Sequence, residues 1–165
     1  MSLREELERR LQGNVVLVGV GNPMWGDDGV GPAIIHRLER RRRDGETAAL
    51  LIDGGDSPEA YWGTITAYRP QAILLIDAVA WGGEPGSVAL IERVQEVGSP
   101  LSTHRISLNL FLGLLRKETG ADVFVLGIQP ARVAFGGSMS LKIQRTLDVL
   151  EDVFSDLLLG GVRCC

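Results

Sequence analysis

Two adjacent aspartates, Asp27 and Asp28, close a glycine-rich turn, and they limit the chemistry that turn can support. The run is Gly19-Val20-Gly21-Asn22-Pro23-Met24-Trp25-Gly26-Asp27-Asp28-Gly29, directly after the apolar residues Val15-Val16-Leu17-Val18. Strand, glycine turn and helix is the layout of a nucleotide-binding unit. Carboxylates at the end of such a turn repel phosphate and attract a cation. The dinucleotide fingerprint needs a glycine where this chain has Met24, and Met24 and Trp25 would crowd a pyrophosphate. Asp53 could imitate the ribose-binding acid, but it does not remove that obstacle. A Walker loop fails in the same way. Gly21 and Gly26 are correctly spaced, but Asp27 and Asp28 replace the lysine and hydroxyl residue that hold phosphate and magnesium.

A metal site suits these residues better. Three acids fall at the ends of predicted strands: Asp28 after the first, Asp53 after the second and Asp77 after the third. The sequence holds 2 histidines. His36 falls inside a predicted helix beside Arg37, on a solvated face. His104 falls in Ser102-Thr103-His104-Arg105, a predicted loop just ahead of a helix. Asp28, Asp77 and His104 would make a site of two carboxylates and one imidazole. That set suits a borderline divalent ion such as nickel or zinc and leaves positions open for substrate or water. The same residues also suit structural roles, the aspartate as a helix N-cap and the histidine as a packing residue, and their spacing alone does not choose. Other chemistries find no support. There is no H-E-x-x-H, no G-x-S-x-G elbow and no internal cysteine nucleophile. Met24 and Trp25 are large apolar residues in a loop; they either fold back on the core or form a docking surface for a protein.

The elements that would carry these residues read clearly. Ser2 and Glu5 form a capping box ahead of Leu3, Leu7 and Leu11 on one helical face, and Gly13 ends that helix. Strands are expected at Val15–Val18, Ala48–Ile52, Ala72–Ile76, Ser87–Ile91 and Val123–Ile128. A helix with Pro32 in its first turn buries Val30, Ala33, Ile34 and Leu38 and ends at Asp44-Gly45. A short helix is expected around Pro58–Trp62, a longer one over Ile106–Lys117, and a last one over Leu141–Leu158 with Ile143, Leu147, Leu150 and Phe154 inward. About ten residues join the third and fourth strands, too few for a helical crossover, so the fourth should be antiparallel. The expected fold is a three-layer α/β/α sandwich around an approximately five-stranded, mostly parallel sheet. In such sheets ligands bind beyond the carboxyl ends of the strands.

Composition narrows the remaining classes. A chain of 165 residues, 45% hydrophobic and 23% charged, is expected to form a single domain over 1–165: an N-terminal helix at 1–13, the main unit at 14–158 and a tail at 159–165. A formal net charge of -4 gives no footprint for nucleic acid, and Arg40–Arg43 reads as a solvated helix end. Cys164 and Cys165 are adjacent and build neither a disulfide framework nor a zinc cluster, so they read as a reduced tail. No apolar run reaches membrane-spanning length and the N-terminus is too charged for a signal peptide, so a cytoplasmic protein without membrane insertion is expected.

From Val15 to Phe154 the chain resembles the hydrogenase maturation endopeptidases. The anchors are Gly19-Val20-Gly21-Asn22 with Asp27-Asp28-Gly29, then Asp53-Gly54-Gly55, Asp77-Ala78, Thr103-His104 and Gly127-Ile128-Gln129-Pro130. Gln129, and aspartate rather than glutamate at Asp28, are most similar to the branch serving formate-hydrogenlyase-type hydrogenases. The resemblance implies an endopeptidase that removes the C-terminal extension of a nickel-iron hydrogenase large-subunit precursor after nickel insertion. It implies Asp28, Asp77 and His104 as metal-contacting and catalytic residues, with Asp53 near the site in support. It implies nickel as the cofactor, supplied by the precursor, with other divalent ions able to occupy the site in vitro. A metal so placed could polarise the scissile carbonyl or acidify a water, with Asp53 or a ligand carboxylate accepting the proton. The N-terminal helix reads as an addition to the minimal domain, and Trp25 is bulky for its turn, with consequences for precursor selectivity. Two other classes stay open: a non-catalytic nickel-binding chaperone for hydrogenase maturation using the same three ligands, and a nucleotide-binding α/β enzyme, which would show saturable nucleotide binding.

Overall fold

All six residues of β1, Val15–Val20, are buried, because this strand lies inside a parallel sheet covered on both faces. The structure is a computed structural model that describes residues 1–43, 49–93 and 103–159, with 103–107 described by backbone alone. Among these residues β1 is joined by β2 (Ala49–Gly55), β3 (Ala72–Ala78), β4 (Val88–Ile91) and β5 (Asp122–Ile128) in a sheet ordered β2-β1-β3-β5-β4. The pairs β1–β2, β1–β3 and β3–β5 are parallel, and β4 pairs antiparallel with β5, as the short connection requires. The expected α/β/α architecture is therefore present. The expected stop at Asp44-Gly45, the expected strand start at Ala48 and the tail cysteines Cys164 and Cys165 lie outside the described residues.

Strand alternation divides the core between two faces. Val15, Leu17, Leu74, Ile76, Phe124 and Leu126 face α1 (Leu3–Arg10), α2 (Val30–Arg41) and α5 (Leu141–Leu158). Val16, Val18, Ile73, Leu75, Val123 and Val125 face α3 (Trp62–Ala67) and α4 (Thr103–Thr119). Helix α5 has the expected bounds and buries Ile143, Leu147, Leu150 and Phe154. Leu159, expected in the tail, packs into the same cluster, so the core extends one residue beyond the expected boundary.

Helix α1 is integrated with the domain. Its capping box is formed, Leu7 and Leu11 are buried, and Arg10 forks onto both carboxylate oxygens of Asp122 at 2.8 and 2.6 Å. The same guanidinium stacks 3.7 Å from the Phe124 ring centroid. A bidentate pair that also stacks is hard to replace with lysine. What looks in sequence like an added segment therefore closes one end of the β5 packing.

The topology places a crevice. From β1 the chain passes outward to β2, and from β3 it continues to the opposite half of the sheet. The carboxyl ends of β1 and β3 therefore flank the point where the winding reverses, where open α/β sheets bind ligands.

Candidate active site at the strand ends

The turn after β1 fixes Asp28. Val20 is followed by Gly21 at φ 132°, a left-handed value that suits only glycine. A Cβ there would lie 1.9 Å from the carbonyl oxygen of Asp28. The chain then enters a 3₁₀ turn, Pro23–Gly29, capped by Asn22, whose side chain accepts from the Met24 N–H at 2.9 Å. Asp28 Oδ2 accepts from the Asn22 N–H at 2.9 Å. Asn22 Nδ2 donates to Asp56 at 3.1 Å and Gly21 N donates to the Gly55 carbonyl at 2.9 Å, which ties this turn to the end of β2. Asp28 is half-buried above the crevice.

Asp77 is the last residue but one of β3 and pairs in register with Gly127 of β5. Gly19 is level with Ile76, so Asp77 lies one step beyond β1's paired residues, beside the Gly21 turn. Alternation from Ile73 and Leu75 turns it toward the face that carries α4. Behind it, Gln129 Oε1 accepts from the backbone N–H of Trp81 at 2.8 Å and of Gly83 at 3.2 Å. That half of the Gly127-Ile128-Gln129-Pro130 phrase thus anchors the loop that leaves Asp77.

The expectation for His104 needs one correction. It lies not in a loop ahead of a helix but in the first turn of α4, which begins at Thr103 rather than Ile106. Serine and threonine favour helix starts, so Ser102-Thr103 was a legible boundary. The 17 residues of α4 rise about 25 Å. They end at Thr119, just before β5 begins at Asp122, at the amino edge of the sheet. The beginning of α4 therefore stands at the carboxyl edge, with Asp28 and Asp77. The side chain of His104 lies outside the described residues, and among the described ones no three His, Cys, Asp or Glu side chains are grouped so as to hold a metal ion.

Asp53 is placed differently. Its Oδ2 lies 2.8 Å from His36 Nε2, and its Oδ1 accepts from the Gly55 N–H at 3.1 Å. Asp53 thus faces α2, while Asp77 faces α4. His36 is solvated as expected, but it is also the partner of Asp53.

Sequence reading singled out Asp28 for the site and gave its neighbour Asp27 no role of its own. Asp27 is fully buried. Its carboxylate accepts from the backbone N–H groups of Ala131, Arg132 and Ser140 at 2.9, 2.7 and 2.7 Å, and from Ser140 Oγ at 2.8 Å. Burial pushes its pKa up, but the bonds from Ser140, Arg132 and Ala131 outweigh that and hold it below the ordinary aspartate value. One aspartate of the pair fastens the 131–140 loop; the other is presented at the crevice. Met24 and Trp25 do not fold into the core; they are 59% and 44% exposed.

Comparison with known proteins agrees with this fold. A family model described as hydrogenase maturation protease, HycI, matches residues 32–156. The hydrogenase 3 maturation protease of Escherichia coli K12 is 34% identical over 144 residues, covering 86% of this chain and 87% of that protein. The crystal structure of a [NiFe] hydrogenase maturation protease HycI from Thermococcus kodakarensis superposes with a TM-score of 0.81 at 27% identity, covering 92% of this chain and 97% of that one. The solution structure of an endopeptidase HycI from Escherichia coli gives a TM-score of 0.70 at 31% identity, covering 84% and 87%.

Proposed function

The chain belongs to the hydrogenase maturation proteases, and on that premise we propose that it removes the C-terminal extension of a nickel-iron hydrogenase large-subunit precursor, in the cytoplasm, after nickel has been inserted. The observation that carries this reading is the placement of Asp28 and Asp77 on either side of the β1–β3 crevice, with the start of α4 at the same edge. A crevice lined by carboxylates suits a cation carried by the substrate and repels phosphate, which argues against the nucleotide-binding alternative.

In this reading nickel belongs to the substrate. The donor set fits it: two carboxylates and an imidazole are acceptable nickel ligands and do not fill its coordination shell. Asp28 and Asp77 would contact the ion from the strand ends and His104 from the first turn of α4. Bound there, the ion supplies Lewis acidity toward a carbonyl or a water. Asp28 arrives oriented, because the Asn22 N–H holds one of its oxygens. Asp53 would act in support from the α2 side of β2, where His36 and the Gly55 N–H engage its carboxylate.

The test is to incubate the protein with nickel-loaded large-subunit precursor and weigh the products. Two masses that sum to the precursor plus one water support the endopeptidase. Precursor that is bound but never shortened would leave a nickel-binding chaperone.

A further inference from the structure

Two exposed aromatic rings stand on the segments that Asp27 joins. Trp25 is 44% exposed and Phe135 is 64% exposed. They meet edge to face with centroids 5.3 Å apart. Met24 and Val133, on the same two segments, are 59% and 50% exposed. Scattered surface hydrophobes need no explanation, but this group is held in place. Asp27 fastens the 131–140 loop through four hydrogen bonds. Asp27 N donates back to the Arg132 carbonyl at 3.1 Å, and Gly136 N donates to the Met24 carbonyl at 2.8 Å. Between them Gly26 turns at φ 65°, with a Cβ position only 3.1 Å from the Arg132 carbonyl oxygen. Rings fixed before a partner arrives lose little freedom on binding.

We propose that Met24, Trp25, Val133 and Phe135 form a docking ridge that grips an apolar segment of the large-subunit precursor beside its scissile bond, with Asp27 as the positioning residue that holds the ridge. This rests on the reading that the chain processes that precursor. Continuity with the crevice selects the occupant. Asp28 follows Trp25 by three positions on one turn, so a peptide bond delivered to Asp28 carries its neighbours over Trp25. Aromatic and methionine side chains are the types enriched at the centres of protein interfaces.

The experiment is steady-state cleavage and direct binding of nickel-loaded precursor from the same organism. It compares wild type with Trp25→Ala, Phe135→Ala, Phe135→Lys and Trp25→Phe, and with Val149→Ala, a control at an exposed position on α5. Each alanine variant should raise KM and Kd by about tenfold with kcat changed by less than about twofold, the scale of an interface anchor. Phe135→Lys should do so more strongly, and Trp25→Phe should recover most of the affinity. Asp27→Asn should raise KM more than it lowers kcat. Val149→Ala should match wild type. Unchanged KM and Kd in the ridge variants, a loss confined to kcat, or a wild type that does not bind precursor would each overturn the ridge. A wild type that binds without cutting would remove the protease reading, and the ridge would then be decided on Kd alone.

Discussion

Asp27 accepts from both the backbone N–H and the hydroxyl of Ser140, at 2.7 and 2.8 Å, across 113 positions of sequence. Asparagine in its place keeps the shape but turns an NH₂ group toward N–H donors. Asp27→Asn should therefore cost about 2–4 kcal/mol, roughly 5–15 °C in Tm. The pH dependence has a definite sign. The folded carboxyl's pKa is lowered, so its contribution is present above the unfolded value of about 4 and lost as pH falls through the folded one. Calorimetry at neutral and acid pH should show the gap between wild type and Asp27→Asn narrowing in acid. A gap independent of pH would mean that the charge is not what holds the loop.

Gly31 lies in the first turn of α2, where a Cβ would sit 2.3 Å from the Ile76 carbonyl oxygen and 2.4 Å from that of Val20. Both obstacles are backbone of the two strands that flank the crevice, so neither can swing aside. Gly31→Ala should push α2 off the sheet and destabilise by about 3 kcal/mol or more. Gly63 has open space around its Cβ position, so Gly63→Ala should stay within about 1 kcal/mol of wild type. Equal denaturation midpoints for the two variants would refute the close approach.

The crevice residues should separate chemistry from folding. Asp28→Asn, Asp77→Asn and His104→Ala should abolish processing while shifting stability by only about 1 kcal/mol, since Asp28 and Asp77 stand outside the apolar core and His104 falls in the first turn of a helix. Asp53→Asn should lower kcat by about 10²-fold if it accepts a proton. His36→Ala should leave kcat within a few-fold, because Gly55 still holds Asp53. A folded His104→Ala protein that trims precursor at the normal rate would remove the imidazole from the mechanism.

Where local periodicity decides an element, sequence sufficed: α5 and the antiparallel β4 lie where hydrophobic spacing and a short connection put them. Boundaries that depend on capping chemistry shifted, and the earlier start of α4 moved His104 from a loop to a helix end. The crevice acids were legible because strand ends are. The anchoring role of Asp27 was not, since it is set by a loop more than 100 positions away. Phe135 was missed for the same reason: in sequence it is one aromatic before Gly136-Gly137, and only the fold brings it to Trp25.

Metal dependence provides the sharpest test of recognition. Two carboxylates and one imidazole lack the thiolates that make structural zinc sites tight, so the free protein should bind divalent ions only moderately. If ligands of the precursor complete the shell, recognising nickel and activating the peptide bond become one event. Nickel-loaded precursor should then be cleaved in buffer without added metal, while nickel-free precursor from the same preparation should stay intact. Adding nickel to the protease alone should not rescue the nickel-free form, because the ion must arrive already seated beside the scissile bond. Equal cleavage of both forms would mean that the protease needs no ion from its substrate and acts as a self-contained hydrolase.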